Sequence, residues 1–197
     1  MDTRTGCGVS SAHIRGESFA RLLRADLERQ FLLEGKPNKK AGFFQLLRRT
    51  LHPRFLPLVL CRASRASFLH RIPALPYLFS YLNLVLFGLQ ITPRCEIGPG
   101  LFLPHTSGTV IGAWRLGSNV TVFQGVTLGA KHLDFEFSSA LLPDIGSNVT
   151  LGSGAKVLGG IRLEDGVVVG ANAVVLKSFD RRCTIAGNPA REVGAST

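Results

Sequence analysis

Among the residues of the second half of the chain, His105 has the side chain best suited to chemistry. It follows a proline and precedes small polar residues in the segment LFLPHTSGTVIG, residues 101–112. An imidazole with its ordinary pKa of about 6.5 can accept a proton at neutral pH, which is the task of a general base. A histidine held in a turn by a backbone carbonyl would need no such role. The surrounding sequence has to decide between these two interpretations.

Aliphatic residues recur every six positions on both sides of this histidine. Units of six residues leave no room for the helical crossovers of an alternating α/β sheet. A short strand that ends in a tight turn instead forms one side of a triangular coil, and stacked coils share one apolar interior. A small residue four positions later fills the corner, and the glycine that often follows the aliphatic residue permits the turn. The repeat predicts a parallel β-helix over residues 91–193, with these series pointing inward: Ile91, Ile97 and Leu103; Leu116, Val122 and Leu128; and Ile145, Leu151, Val157, Leu163, Val169 and Val175.

The repeat is interrupted at three places, and one of them directly follows His105. The aliphatic positions 103 and 111 are eight apart instead of six, so the backbone leaves the regular prism there. This departure favours the catalytic interpretation of His105. Positions 111 and 116 are only five apart, and Trp114 in that short side either covers the defect or faces a substrate. The third interruption is an extended loop over residues 130–144.

The first half of the chain has helical spacing and predicts a small α-helical domain over residues 18–90. Ser18 is the expected N-cap of its first helix. Residues 1–17 are polar and without a period, which predicts a mobile N-terminus, and residues 194–197 form a tail.

Positive charge is concentrated in this helical half. Residues 1–90 contain 14 Lys and Arg against 5 Asp and Glu, whereas residues 91–197 contain 9 against 8. The basic residues alternate with leucine and phenylalanine, and no nucleic-acid-binding signature accompanies them, so an anionic lipid surface fits this mixture better. A solvated basic helix face is the equally open alternative.

An uncharged stretch, residues 72–93, raises the question of a membrane span. The uninterrupted helix expected at 77–89 would reach about 20 Å against roughly 30 Å of hydrocarbon, so it is expected to be buried or to lie on a membrane surface. The four scattered cysteines, with nothing resembling a signal peptide before them, predict free thiols in a reducing compartment. We therefore expect a cytoplasmic protein with peripheral contact at the inner face of the membrane.

Several segments, in order, resemble the hexapeptide-repeat acyltransferases and, within them, the serine O-acetyltransferase branch: LLRADLER, IGPGLFLPHTSGTVIG, VFQGVTLG, GSGAKVLGGIRLEDGVVVGANAVV and AGNPARE. The likeness covers about residues 18–193. It implies a left-handed β-helix, a homotrimer or a dimer of trimers, and acyl transfer from acetyl-CoA as co-substrate. It also places His105 at the family's catalytic histidine. Zinc hydratases of the same fold use three histidines, of which this repeat region has two, so no metal is expected.

Around that histidine the chain departs from the serine-specific pattern. Gln90 stands where the family has the carboxylate that orients the base, and its amide oxygen is expected to accept from the imidazole N–H without adding a negative charge. Pro104 replaces an aspartate that holds the amino acid. Leu141 and Leu142 replace an arginine and a histidine. A pocket without these charges would desolvate a zwitterion at a large cost. We therefore expect a hydroxyl of a sugar or glycan precursor as acceptor, as in the relatives that O-acetylate capsule and exopolysaccharide, with serine O-acetyltransferase and a non-catalytic trimeric scaffold as alternatives.

The resemblance also assigns the remaining site residues. His132 in the extended loop would replace the lost second histidine, with Asp134 and Glu136 as acceptor contacts or as orienting carboxylates, unless this loop is a solvated lid. Trp114 is a further candidate for acceptor contact. The coenzyme would lie in a groove between adjacent prisms, with a backbone N–H near Ala130 stabilising the oxyanion and basic side chains on the phosphates. The expected coenzyme contacts are Ala130, Ser153, Gly154, Ala171, Lys177, Asn188 and Arg191.

Overall fold

The chain divides into helices followed by strands in the structure, a computed structural model that describes residues 17–132 and 136–194. The N-terminal segment that was expected to be mobile lies outside the described residues apart from Glu17. The expected tail lies outside them apart from Gly194.

In the described residues the first half forms four helices: α1 Phe19–Leu33, α2 Phe43–Thr50, α3 Leu56–Leu69 and α4 Leu75–Phe87. Ser18 caps α1 as predicted, because its side chain accepts a hydrogen bond from the Arg21 N–H at 3.3 Å. The uncharged helix expected at 77–89 is α4, which begins and ends two residues earlier. None of the described helices is long and apolar enough to cross a membrane.

The second half consists of short strands, most of them two or three residues long. They are β1 Leu89–Ile91, β2 Glu96–Ile97, β3 Thr109–Ile111, β4 Arg115–Leu116, β5 Thr121–Val122, β6 Thr127–Gly129, β7 Asp144–Ile145, β8 Thr150–Leu151, β9 Lys156–Leu158, β10 Arg162–Leu163, β11 Val168–Val169, β12 Val174–Val175, β13 Thr184–Ala186 and β14 Arg191–Gly194.

These strands form three sheets, the sides of a triangular prism. The first sheet has the order β1-β3-β6-β9-β12, the second β2-β4-β7-β10 and the third β5-β8-β11-β13-β14. All strand pairs are parallel except β13 with β14. From β3 to β12, successive strands along the chain enter the first, second and third sheets in turn, so the chain coils as the six-residue period predicts.

The interior of the prism is filled by the residues that the period assigns to it. Each coil contributes one aliphatic side chain from each sheet, and in the second coil Ile111, Leu116 and Val122 are all buried. The residues expected at the corners are fully buried as well: Val120, Val126, Val149, Ala155, Val167 and Ala173.

The glycines that follow aliphatic residues have a different role from the expected one. A Cβ atom added at Gly98 or Gly117 would lie 2.7 or 2.6 Å from the backbone of the next coil, so the coils stack too closely for a side chain there. The turn itself is made two residues further on, in the left-handed region of φ. Asn119, with a φ of 57°, and Gly154, with a φ of 72°, occupy such positions.

A buried ion pair joins two of the helices. Arg62 of α3 donates Nε and Nη2 to the two carboxylate oxygens of Asp26 of α1, each at 2.9 Å, and the side chains are 2% and 0% exposed. Burial by itself would lower the pKa of Arg62, but the attraction and the hydrogen bond of Asp26 outweigh burial and raise that pKa. Arg62 therefore stays charged in the interior.

The same ion pair holds the first coil of the β-helix, and we call the whole arrangement the Asp26–Arg62 clamp. Arg62 donates to two backbone carbonyls at 2.7 Å, and Asp26 accepts from two backbone N–H groups at 2.9 Å. These groups are Ile97 O and Gly98 O for Arg62, and Gly100 N and Leu101 N for Asp26. The clamp thus fixes the beginning of the segment that leads to His105.

The cysteines of the described residues, Cys61, Cys95 and Cys183, are buried free thiols, and Cys7 lies outside those residues. Burial raises the pKa of the Cys61 thiol to about 12 and raises that of Cys95 as well. Neither of these two thiols is therefore a nucleophile at neutral pH.

Candidate active site

His105 lies at the corner where the chain passes from the third sheet to the first, between the bridge residue Phe102 and β3. Its side chain is exposed. Two hydrogen bonds attach the turn around it to the end of α4. Thr106 Oγ1 donates to the Phe87 carbonyl at 2.9 Å, and Gly108 N donates to the Gly88 carbonyl at 3.0 Å. The backbone is therefore fixed while the imidazole faces solvent.

A pocket beside His105 contains charged groups from the helical region. Glu34, directly after α1, and Arg54, two residues before α3, both line it together with the histidine. Gln30 Nε2 donates to Glu34 Oε1 at 2.9 Å, which orients that carboxylate. The remaining lining residues are Leu33, Phe102, Leu103 and Pro104. The pocket thus offers one anion and one cation next to an open imidazole.

Sequence reasoning missed Glu34 and Arg54. Both are far from His105 along the chain, and neither belongs to the repeat or to a recognisable motif. The available signal was the segment LLRADLER before them, since a family likeness there indicates that the helical region has a fixed position relative to the β-helix.

Gln90, the expected orienting group, lies on the exposed side of β1 opposite Val110. Among the described residues the structure shows no hydrogen bond between Gln90 and His105. Its orienting role stays a prediction.

Four of the expected coenzyme contacts lie in the turns that are stacked above His105, at the corner that we call the His105 edge. Backbone hydrogen bonds between successive turns form a ladder along this edge. Gly125 N donates to Ser107 O at 3.0 Å, Gly154 N to Gln124 O at 2.9 Å and Asn172 N to Ser153 O at 2.8 Å, so each turn rests on the turn of the previous coil. In the last coil Val174 N donates to Gly187 O at 2.9 Å. The expected contacts on this ladder are Ser153, Gly154, Ala171 and Asn188.

Other expected site residues lie at the corner where the first sheet passes to the second, which we call the opposite edge. Ala130 follows β6 and Lys177 closely follows β12, and Lys131 Nζ donates to the Leu176 carbonyl at 3.1 Å across that corner. His132 is exposed in the same place. A strand of three residues, about 10 Å, separates the two edges, so His105 and His132 do not meet within one chain.

Arg191, the last expected coenzyme contact, lies on β14 opposite Ala186 and is exposed. β14 belongs to the third sheet at the end of the prism, so Arg191 does not lie at the opposite edge with Ala130 and Lys177. Its contact with phosphate stays a prediction.

The described part of the extended loop packs on Trp114. The rings of Trp114 and Phe137 are 5.8 Å apart, and Arg94 Nη1 donates to the Glu136 carbonyl at 3.2 Å. Trp114 N also donates to Pro143 O at 2.9 Å. Trp114 therefore supports the loop, and its contact with an acceptor stays a prediction. Asp134 lies outside the described residues.

Within residues 17–132 and 136–194 no three His, Cys, Asp or Glu side chains are grouped so that they could hold a metal ion.

Comparison with known proteins gives the family. Residues 143–177 match the model for the bacterial transferase hexapeptide, six repeats. A serine acetyltransferase of Helicobacter pylori is 37% identical over 144 residues, which cover 73% of this chain and 82% of that protein. This chain belongs to the serine acetyltransferase family. It spans 65% and 52% of the length of two other curated serine acetyltransferases that it matches.

Solved serine acetyltransferases have the same fold. The structure of the Neisseria gonorrhoeae enzyme matches with a TM-score of 0.77 and 28% identity, over 91% of this chain and 68% of that one. The Brucella abortus enzyme in complex with coenzyme A matches with a TM-score of 0.74 and 26% identity, over 91% and 69%. The predicted fold class, a left-handed parallel β-helix of hexapeptide repeats after an α-helical region, is confirmed.

The prediction of a sugar or glycan acceptor is wrong, and the role in polysaccharide biosynthesis falls with it. The matched relatives of this family are serine acetyltransferases. The physical reason lies in where the charges are. The prediction counted charges missing from the β-helix at Pro104, Leu141 and Leu142, whereas the pocket draws Glu34 and Arg54 from the helical region.

Proposed function

We propose that this chain is a serine O-acetyltransferase that transfers the acetyl group of acetyl-CoA to the hydroxyl of L-serine. One observation carries the proposal. In a member of this family, the exposed His105 shares its pocket with the carboxylate of Glu34 and the guanidinium of Arg54.

His105 is the general base of the proposed reaction. Its imidazole takes the proton of the serine hydroxyl while that oxygen attacks the thioester carbonyl. The new C–O bond forms, the C–S bond breaks, and the coenzyme A thiolate receives a proton from the imidazolium. A backbone N–H near Ala130 would stabilise the oxyanion of the tetrahedral intermediate.

Glu34 and Arg54 recognise the zwitterion in this proposal. The serine ammonium pairs with Glu34 and the serine carboxylate pairs with Arg54, because charge-assisted hydrogen bonds offset the cost of desolvating both groups. The hydrogen bond from Gln30 keeps the Glu34 carboxylate directed while the pocket is empty.

Coenzyme A binds along the ladder of the His105 edge and reaches the opposite edge of a neighbouring subunit. Ser153, Gly154, Ala171 and Asn188 contribute from the first edge, and Ala130 and Lys177 from the second. This division supports a homotrimer with its sites between subunits, since one chain alone keeps the two edges about 10 Å apart. Lys177 and Arg191 would pair with the phosphates.

The test uses the purified full chain, acetyl-CoA and L-serine, with release of the free thiol and formation of O-acetylserine as readouts. Ethanolamine, which lacks the carboxylate, and 3-hydroxypropionate, which lacks the ammonium, are the matched acceptors. We expect transfer to L-serine and much slower transfer to either analogue. Equal rates with all three acceptors would contradict zwitterion recognition, and no binding of acetyl-CoA by calorimetry would favour a non-catalytic scaffold.

A further inference from the structure

The α2 helix has an apolar surface that faces solvent. Phe43 is 70% exposed, Phe44 82%, Leu47 61% and Leu51, directly after the helix, 80%. We call these four residues the α2 face. None of the residues of α2 is buried.

The α2 face is exposed because the helix is attached to the rest of the protein through its other side. Positions 43, 47 and 51 are four residues apart and lie on one side of the helix. On another side Leu46 packs against the hydrophobic core. Before the helix, Ala41 N donates to Glu28 Oε1 of α1 at 3.1 Å, which ties the entry of the segment to the domain. The attachment of α2 thus directs the α2 face outward.

The surroundings of the α2 face are strongly basic. Residues 36–54 contain six Lys and Arg and no Asp or Glu. Arg49 turns inward toward Glu34, at 4.0 Å, and toward the ring of Phe31. Lys40 and Arg48 are exposed beside the phenylalanines. Aromatic and leucine side chains within a collar of cations are typical of helices that lie on anionic membranes.

Charge also argues against a second copy of this chain as the occupant. A symmetric contact through the α2 face would bring two such basic segments together, and like charges across an interface oppose association. The exposed face of α4 differs, because residues 72–93 carry no charge. Charge complementarity therefore favours an anionic surface as the partner of the α2 face, and it gives no such preference for α4.

We propose that the α2 face binds peripherally to a membrane surface rich in anionic lipid. Phe43, Phe44, Leu47 and Leu51 enter the boundary between headgroups and acyl chains, and the surrounding cations pair with lipid phosphates. Binding does not require acetyl transfer, so the proposal stands or falls separately from the proposed function.

The experiment is co-sedimentation of the full chain with vesicles of phosphatidylcholine and phosphatidylglycerol in equal parts, and with vesicles of phosphatidylcholine alone. We expect binding to the anionic vesicles that weakens as salt is raised, and little binding to the neutral ones. Two double variants, Phe43→Ser/Phe44→Ser and Lys40→Glu/Arg48→Glu, should each reduce binding about tenfold or more.

Two control variants match these changes elsewhere on the surface. Val193→Ser removes an exposed apolar side chain of β14, and Arg24→Glu reverses an exposed charge on α1. Both should bind vesicles like the unchanged protein. Circular dichroism and acetyl transfer without vesicles check that each variant is folded.

Three outcomes would overturn the proposal. The first is the absence of binding to anionic vesicles, and the second is binding that the α2 variants leave unchanged. The third is a smaller assembly of Phe43→Ser/Phe44→Ser in light scattering without lipid, because a second copy would then cover the α2 face.

Discussion

At the scale of single residues, His105 depends on side chains that lie far from it in the sequence. The turn around it is fixed by backbone contacts to the end of α4, and the charges of its pocket come from the ends of α1 and α3. An open imidazole alone could serve as general base for any alcohol bound beside it. Glu34 and Arg54 restrict the acceptor in our proposal to one with both charges.

Replacing His105 by alanine tests its role as the base. We expect kcat for acetyl transfer to L-serine to fall by about 10² to 10⁴, because proton removal in the transition state is lost. The affinity for acetyl-CoA, measured by calorimetry, should change little. His70→Ala, at an exposed histidine directly after α3, is the matched control. An undiminished kcat in His105→Ala would exclude general-base catalysis by this residue.

Replacing Glu34 or Arg54 by glutamine tests recognition of the zwitterion. Each change removes one charge-assisted hydrogen bond, so KM for L-serine should rise roughly tenfold or more while KM for acetyl-CoA stays the same. Glu34→Gln should reduce the preference for L-serine over 3-hydroxypropionate, which lacks the ammonium. Arg24→Gln, at an exposed arginine of α1 away from the pocket, is the control. If KM for L-serine does not move in either variant, the acceptor is bound elsewhere.

At the scale of elements, the Asp26–Arg62 clamp connects the helices with the β-helix. It satisfies four backbone groups of the first coil in addition to its own two charges. A buried ion pair of this kind adds little over a well-packed apolar pair, but it is costly to break from one side. The clamp also holds Leu101, four residues before His105, so its loss should affect both stability and catalysis.

The variant Asp26→Ala leaves the buried Arg62 without its partner. We expect the free energy of unfolding in urea, followed by Trp114 fluorescence, to fall by about 3–5 kcal/mol. Glu192→Ala removes the exposed pair with Arg181 and should lower the free energy of unfolding much less. Similar losses in the two variants would mean that the clamp is no more than a surface contact. Asp26→Asn, which keeps one acceptor, serves if the alanine variant does not fold.

At the scale of the whole molecule, the predicted site residues occupy two edges of one prism. In our proposal the coenzyme touches both sets at once by lying between the His105 edge of one subunit and the opposite edge of the next. The β-helix is suited to this, because its edges are straight ladders of stacked turns that can lie side by side.

Mixed trimers test this arrangement. His105→Ala disables the His105 edge, and Ala130→Trp blocks the opposite edge, so each variant alone should be inactive. When the two are co-expressed in equal amounts, a site between subunits keeps both edges intact in about one case in four, and that share of activity should return. If each site belongs to a single chain, the mixture stays inactive.

Much of the fold was determined by the sequence itself. The six-residue period predicted the strands, the inward residues from Ile91 to Val175 and the buried corners such as Val120, because a repeated local unit buries the same position in every coil. The reason for the glycines after these residues was not predicted. The distance between stacked coils, which excludes a Cβ at Gly117, is a property of the assembled prism.

The active site was determined by the sequence only in part. His105 stood out because the repeat breaks beside it, and the ladder at Ser153 and Ala171 follows from the same register. The acceptor in our proposal depends on Glu34 and Arg54, which only the tertiary structure brings to the histidine. A repeat determines what lies along its own axis, whereas charges supplied by a separate group of helices depend on how that group is docked, here through Asp26 and Arg62.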